Sequence, residues 1–269
     1  MPLSARAQSV EPFYVMQVAK QAAEIERRLE PGEPPMIYLN IGEPDFVAPL
    51  PVQAAARAAI EAGLTQYTPA LGLDALRQRI SDWYAQRFGV QVDAARIVIT
   101  AGASGALQLA AMAWLDAGDE WLMPDPSYPC NRQILSAIGA SARLLPAGPQ
   151  QRYQLTAAQV EQAWGPRTRG VLLASPSNPT GTSIDPDELR RIHALVKARG
   201  GVTVIDEIYL GLSHDPRYGQ TALALDESIV SINSFSKYFG MTGWRLGWMV
   251  LPESAIEAVE RLQQNFFIC

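Results

Sequence analysis

Short apolar runs rich in β-branched residues alternate along this chain with longer stretches in which apolar and polar positions recur at helical spacing. The runs predict strands at Arg96–Thr100, Glu120–Met123, Arg143–Pro146, Gly170–Ala174, Val202–Ile205, Ile229–Asn233 and Gly247–Leu251. Helical patterns fill the gaps, at Ala103–Leu115, Ser127–Ile138, Ala157–Trp164, Pro186–Ala198 and Glu253–Phe267. Val52–Ala62 and Leu73–Phe88 read as helices ahead of the first strand, and Phe13–Leu29 is amphipathic. Asp185 is a good cap for the helix that begins at Pro186, with Glu188 three residues after it, and Gly200-Gly201 ends that helix. Alternation of this kind predicts an α/β fold, a mostly parallel sheet sandwiched by helices, with an N-terminal helical segment. Pro31-Gly32-Glu33-Pro34-Pro35 breaks that segment from the main body. There is no internal repeat and no low-complexity segment.

Composition narrows the function classes. The chain has 269 residues, 48% of them hydrophobic and 18% charged, as in globular proteins. Its net charge of −5 gives no general attraction to nucleic acid. Two cysteines, Cys130 and Cys269, are too few for a disulfide framework and point to a reducing cytoplasm. The first residues contain no long apolar run, so no secretory signal is expected, and no stretch approaches a membrane span.

The chemistry gathers in the second half. Lys237 lies in Ser234-Phe235-Ser236-Lys237-Tyr238-Phe239-Gly240, a stretch of small and uncharged residues, with Arg245 following. Surface lysines usually sit among other charges, so this one reads as held in a pocket. Serine hydroxyls and a guanidinium fork suit a phosphate. Asp206 follows the apolar run Val202-Thr203-Val204-Ile205, at the strand end where α/β sheets bind ligands. Thr100-Ala101-Gly102-Ala103-Ser104 joins a strand to a helix through small residues that would admit a phosphate to free backbone N–H groups. It lacks the glycine spacing of a dinucleotide loop. Asn178-Pro179-Thr180-Gly181 reads as a turn that fixes the asparagine amide. Each motif alone also fits an ordinary turn, cap or core contact. His193 and His214 have no metal-ligand spacing and read as structural or surface residues. Arg27, Arg28, Arg77, Arg79, Arg190 and Arg191 alternate with acids and read as solvated helix faces.

In this order and spacing, the Asn178, Asp206-Glu207-Ile208-Tyr209 and Lys237 motifs resemble the pyridoxal 5'-phosphate (PLP) site of the fold-type I aminotransferases of class I/II, the aspartate aminotransferase-like group. The resemblance covers roughly Ile37 to Phe267. It implies that Lys237 forms a Schiff base with PLP and acts on the substrate Cα proton, and that Asp206 faces the pyridine nitrogen. Tyr209 and Asn178 would contact the ring hydroxyl, with Glu207 structural, and Tyr128 would stack on the ring. Gly102, Ala103, Ser104, Ser234, Ser236 and Arg245 would hold the phosphate. Gly42 and Asn178 would meet the substrate carboxylate, with Glu43 and Asp45 as turn formers. Tyr67 would reach the phosphate of a neighbouring subunit, which implies a homodimer with composite sites.

The implied reaction moves an amino group between an amino acid and a 2-oxo acid. A C–S β-lyase using the same cofactor, and a non-catalytic ligand-binding module, remain open alternatives. The domains expected are an N-terminal segment, 1–48, contributing to a small domain, and a PLP-binding large domain, 49–269. The family carries a further C-terminal part with an arginine for the substrate α-carboxylate. The apolar tail Phe266-Phe267-Ile268 and the lack of an arginine after Arg261 imply a truncated chain of little activity, with no fixed guanidinium for the carboxylate.

Overall fold

The computed structural model describes residues 1–269. The predicted strands all form: β1 (Ile97–Thr100), β2 (Glu120–Asp125), β3 (Ser141–Pro146), β4 (Thr168–Ala174), β5 (Val202–Asp206), β6 (Val230–Ser234) and β7 (Gly247–Val250). They make one sheet in the order β1-β7-β6-β5-β4-β2-β3. From β6 to β3 every pairing is parallel, while β7 runs antiparallel to both β1 and β6. Because β6 and β7 are antiparallel neighbours, the loop between them stays at one edge of the sheet. That is the edge where the parallel strands end, and the loop carries Lys237 and Arg245.

The helices are α1 (Ala5–Ser9), α2 (Tyr14–Glu26), α3 (Leu50–Glu61), α4 (Asp74–Phe88), α5 (Gly102–Trp114), α6 (Pro129–Ala137), α7 (Ala157–Ala163), α8 (Pro186–Ala198) and α9 (Glu253–Phe266). The short α1 is not visible in the hydrophobic pattern, and it buries no residue. Its start is set by Ser4, whose hydroxyl accepts from the Ala7 N–H. Asp185 caps α8 as expected, accepting from the Asp187 N–H at 3.0 Å. Glu188 does not complete a capping box. Its carboxylate instead accepts from the Ala157 N–H at 2.6 Å and pairs with Arg191, so it joins α8 to the start of α7.

Alternation along the strands sends side chains to two cores. Met123, Leu172, Val204, Ile232 and Met249 pack with α5 and α9 on one face. Leu122, Leu173 and Ile205 pack with α7 and α8 on the other. A third cluster joins α4 to Ile97, Ile99, Trp248 and Val250. At its centre the Trp83 ring meets Tyr84, Phe88 and Trp248 edge-on, with centroids 5.0–5.7 Å apart. Phe235 and Phe239, which flank Lys237, lean on the same Trp248 ring. Arg77 departs from the expected solvated face: its guanidinium donates to the Ile97 carbonyl and ties α4 to β1. Phe267 also packs against the first core, whereas Phe266 and Ile268 are exposed.

Candidate functional site

Register places the site. Gly247 stands opposite Thr100 on one side and Ser234 on the other. The start of α5, the Lys237 loop and Arg245 are therefore level at the same sheet edge. A Cβ on Gly247 would lie 2.7 Å from the Gly102 carbonyl carbon, 2.8 Å from the Asn233 oxygen and 2.9 Å from the Ala103 nitrogen. All three are backbone atoms, so only glycine lets β7 run this close to the helix start. Gly102 has φ +69°, and a Cβ there would meet Arg245 Nη2 at 2.6 Å.

A cavity of about 1130 Å³ opens over this edge. Ala103, Ser104, Ser236 and Arg245 line one part of it, with Lys237 and Gly42 beside them. Tyr128, Asn178, Asp206 and Tyr209 line the rest of the expected set. Three expected residues do not reach it. Ser234 is fully buried, with its Oγ 2.8 Å from Ser236 Oγ and 3.1 Å from the Leu246 carbonyl oxygen. Its hydroxyl braces Ser236. Gly102 lies behind Arg245. Tyr67 is 93% exposed and stands apart from the cavity.

The electrostatics are unusual for a folded interior. Asp206 is 7% exposed, and its one hydrogen bond is from the Ile208 N–H at 3.0 Å. No cation faces it. Burial pushes its carboxyl up to about 6. Glu207, next in sequence, is the structural member of the pair. It accepts from Thr221 Oγ1, the Ala222 N–H and Ser231 Oγ at 2.6–2.8 Å. Lys237 Nζ donates to the Gly42 carbonyl. Burial lowers its pKa, Glu43 opposes that fall, and Arg245 adds to it. Asn178 Nδ2 donates to the Tyr209 hydroxyl at 3.4 Å. Burial first, and Asp206 second, raise the Tyr209 pKa, so the phenol keeps its proton. Burial likewise raises Tyr128, whose ring lies edge-on to Phe13 at 5.9 Å.

These residues fit PLP. A protonated pyridine nitrogen would supply the cation that buried Asp206 lacks. The first N–H groups of a helix have no intrahelical partner, and Ala103 and Ser104 present theirs beside Ser236 and Arg245. Arg245 donates to the Thr242 carbonyl and forms no ion pair, leaving charge for a phosphate.

Sequence reasoning missed part of the wall. His214, read as structural or surface, lines the cavity, as does Glu43. His193 is structural as expected, held between Thr203 Oγ1 and Asp226. Arg152 lines the cavity as well. Its backbone is left-handed, with φ 55°, and no periodic pattern signals such a residue.

Two outcomes follow from this geometry. The rise of Asp206 from 3.8 to about 6 corresponds to roughly 3 kcal/mol. The folded chain binds that proton more tightly than the unfolded chain, so stability falls as pH climbs through this window and stays lower above it. Asp206→Asn keeps the acceptor for Ile208 and removes the charge. It should stabilise the ligand-free chain at pH 7 by roughly 2–3 kcal/mol and by little at pH 4, read by urea unfolding at both values. Equal stabilisation at the two values would contradict the burial of an unpaired charge. Gly247→Ala should weaken PLP binding at least tenfold while leaving pyridoxal, which lacks the phosphate, nearly unchanged. Equal loss of both ligands in equilibrium titrations would mean that the clash spreads beyond the phosphate cradle.

Comparison with known proteins agrees with the site. The sequence model of the family described as aminotransferase class I and II matches residues 34–269. The valine–pyruvate aminotransferase of Mycobacterium tuberculosis is 45% identical over 262 residues, 97% of this chain and 66% of that protein. The arginine–pyruvate transaminase of Pseudomonas aeruginosa is 34% identical over 237 residues, 87% of this chain and 60% of that protein. Among solved structures, an aminotransferase from Mycobacterium tuberculosis superposes with a TM-score of 0.92 at 43% identity, covering 100% of this chain and 68% of that one. The Thermus thermophilus aspartate aminotransferase with maleate gives 0.90 at 28% identity, covering 99% and 69%. The chain spans about two thirds of the length of these relatives. No helix is long and apolar enough to cross a membrane. With the family model, the relatives and the fold in agreement, the chain belongs to the class I and II aminotransferases.

Proposed function

We propose that this chain carries the cofactor-binding core of a PLP-dependent enzyme that moves an amino group between an amino acid and a 2-oxo acid. One observation carries the reading: a buried carboxylate without a cation, an amine and an unpaired guanidinium beside a helix start share one cavity. PLP, when bound, supplies an electron sink that makes the substrate Cα proton acidic.

The chain's own residues supply the rest. Asp206 holds a proton on the ring nitrogen. Lys237, with its pKa lowered by burial, has a larger neutral fraction than a solvated lysine and serves as nucleophile and base. Its Nζ takes the proton from the substrate Cα. Asn178 donates to the Tyr209 oxygen, which leaves the Tyr209 O–H free to donate into the cavity. Ala103, Ser104, Ser236 and Arg245 bind the phosphate and thereby fix the ring relative to Lys237. Gly42 keeps its N–H for a substrate carboxylate, while its carbonyl orients the lysine.

Further parts of the proposal rest on exposure. A homodimer with composite sites is supported by Tyr67, which no contact in its own chain explains. The division of the chain near residue 48 is supported by burial, since Ala48 is the first buried residue. A cytoplasmic setting is supported by the two free cysteines.

Borohydride reduction of the PLP-treated protein, followed by peptide mapping, should place the pyridoxyl group on Lys237. Amino-group transfer should be lost in Lys237→Ala. A label on another lysine would overturn the assignment, and ammonia release without transfer would favour a lyase. For the dimer, Tyr67→Phe and Lys237→Ala subunits should each bind PLP weakly. Mixing them should restore tight binding to half of the hybrid's sites, because one site then receives both intact residues. A monomer by light scattering, with full PLP affinity, would contradict shared sites.

A further inference from the structure

β1 is an outer strand of the sheet, so one of its edges has no strand beside it. Backbone groups on such an edge need other partners. Ile99 turns both of its groups to that edge. Its N–H donates to the Leu71 carbonyl at 3.0 Å, and its carbonyl accepts from Gln263 Nε2 at 2.7 Å. The same Gln263 nitrogen donates to the Ala70 carbonyl at 2.7 Å. A side-chain amide nitrogen has two protons, and here each has a carbonyl of its own. Gln263 is fully buried in α9. Without it the Ile99 carbonyl would be left in the interior short of a donor.

These bonds seat the segment between α3 and α4 against the sheet. Leu71 packs on the first core, and a Cβ on Gly72 would lie 2.2 Å from Ile99 Cγ1. Tyr67, in the same segment, is 93% exposed. The segment is thus fixed at Ala70 to Gly72 and bare at Tyr67. From Ala70 back to Tyr67 an extended chain reaches about 10 Å. Were α4 the only anchor, from its first residue Asp74 the reach would be about 25 Å.

The same strand carries the phosphate cradle. Thr100 follows Ile99, and α5 begins at Gly102. β1 therefore positions two parts, the helix start of its own site at its end and the segment bearing Tyr67 at its outer edge. Gln263, Ala70 and Ile99 all lie outside the cavity wall. If Tyr67 completes the site of a second copy, what Gln263 holds in place is felt in that copy.

We propose that Gln263 is a positioning residue for phosphate binding in the partner subunit, because it fixes Ala70 and so limits where Tyr67 can reach. This rests on the shared-site reading above. The test uses two differently tagged chains, Tyr67→Phe and Lys237→Ala, purified together over both tags. Their hybrid has one complete site, with Lys237 from the first chain and Tyr67 from the second. The readout is the PLP concentration that half-labels Lys237 on borohydride reduction, which only that site can give. Gln263→Met removes both donors and is added to one chain at a time. On the Lys237→Ala chain, which supplies Tyr67, it should raise that concentration about tenfold, the scale of a lost hydrogen bond to a charged group. On the Tyr67→Phe chain it should leave the concentration unchanged. Either hybrid contains one altered chain, so a general loss of stability would weigh equally on both. Equal weakening from the two chains, or none from either, would overturn the proposal. If Gln263→Met does not fold, Gln263→Asn, too short to span both carbonyls, goes through the same pairings with the same expected outcome. An unaltered hybrid that labels no more tightly than Tyr67→Phe alone would instead sink the shared-site reading, and the proposal with it.

Discussion

Three backbone atoms occupy the space in which a side chain at residue 247 would stand. That steric constraint lets β7 lie between β1 and β6 with Thr100, Gly247 and Ser234 in register. The register in turn brings the first turn of α5, the lysine loop and Arg245 together. None of these segments makes an anion site by itself. A helix start offers N–H groups, a serine loop offers hydroxyls, and an arginine offers charge. Their convergence depends on one strand passing closer to a helix than any residue with a Cβ would allow.

Around this edge the chain keeps charges that it pairs elsewhere. Arg190, Arg191, Arg217 and Arg261 all have carboxylate partners. Buried Glu207 has three donors. In the cavity, by contrast, Asp206 has one backbone donor, and Lys237 and Arg245 meet only carbonyl oxygens. Of these, the buried and unpaired Asp206 weakens the ligand-free fold. Their concentration at one place is the physical mark of a binding site.

Much of this was legible in the sequence, for identifiable reasons. The strands are short, apolar and β-branched because both sheet faces are covered, and that pattern is distinct from helical spacing. Lys237 and Asp206 were found through their neighbours, an uncharged loop and a buried strand. Ser234 and Ser236 look alike in sequence, but Ser234 ends β6 with its hydroxyl on the Leu246 carbonyl, while Ser236 lines the cavity. Arg77 was misread because a charged helix face does not reveal which arginine finds a carbonyl. Arg152 and His214 were missed since their place depends on loops crossing from other strands, which periodicity does not encode.

The N-terminal quarter obeys a different rule. Neither α2 nor α3 buries a residue, and Ile37, Leu39, Phe46, Val47, Leu50 and Ile60 are exposed together with Tyr67. Scattered apolar residues need no explanation, but a run of them along one stretch of chain marks a surface that another surface covers. The same stretch reaches the cavity through Gly42, whose carbonyl receives Lys237, and Phe46 packs over Gly240 in the lysine loop. The segment is thus tied to the site more firmly than to the core. On the proposed dimeric reading, covering that apolar surface would also steady the carbonyl that orients the lysine. Assembly and the geometry of the reactive amine would then depend on the same few residues.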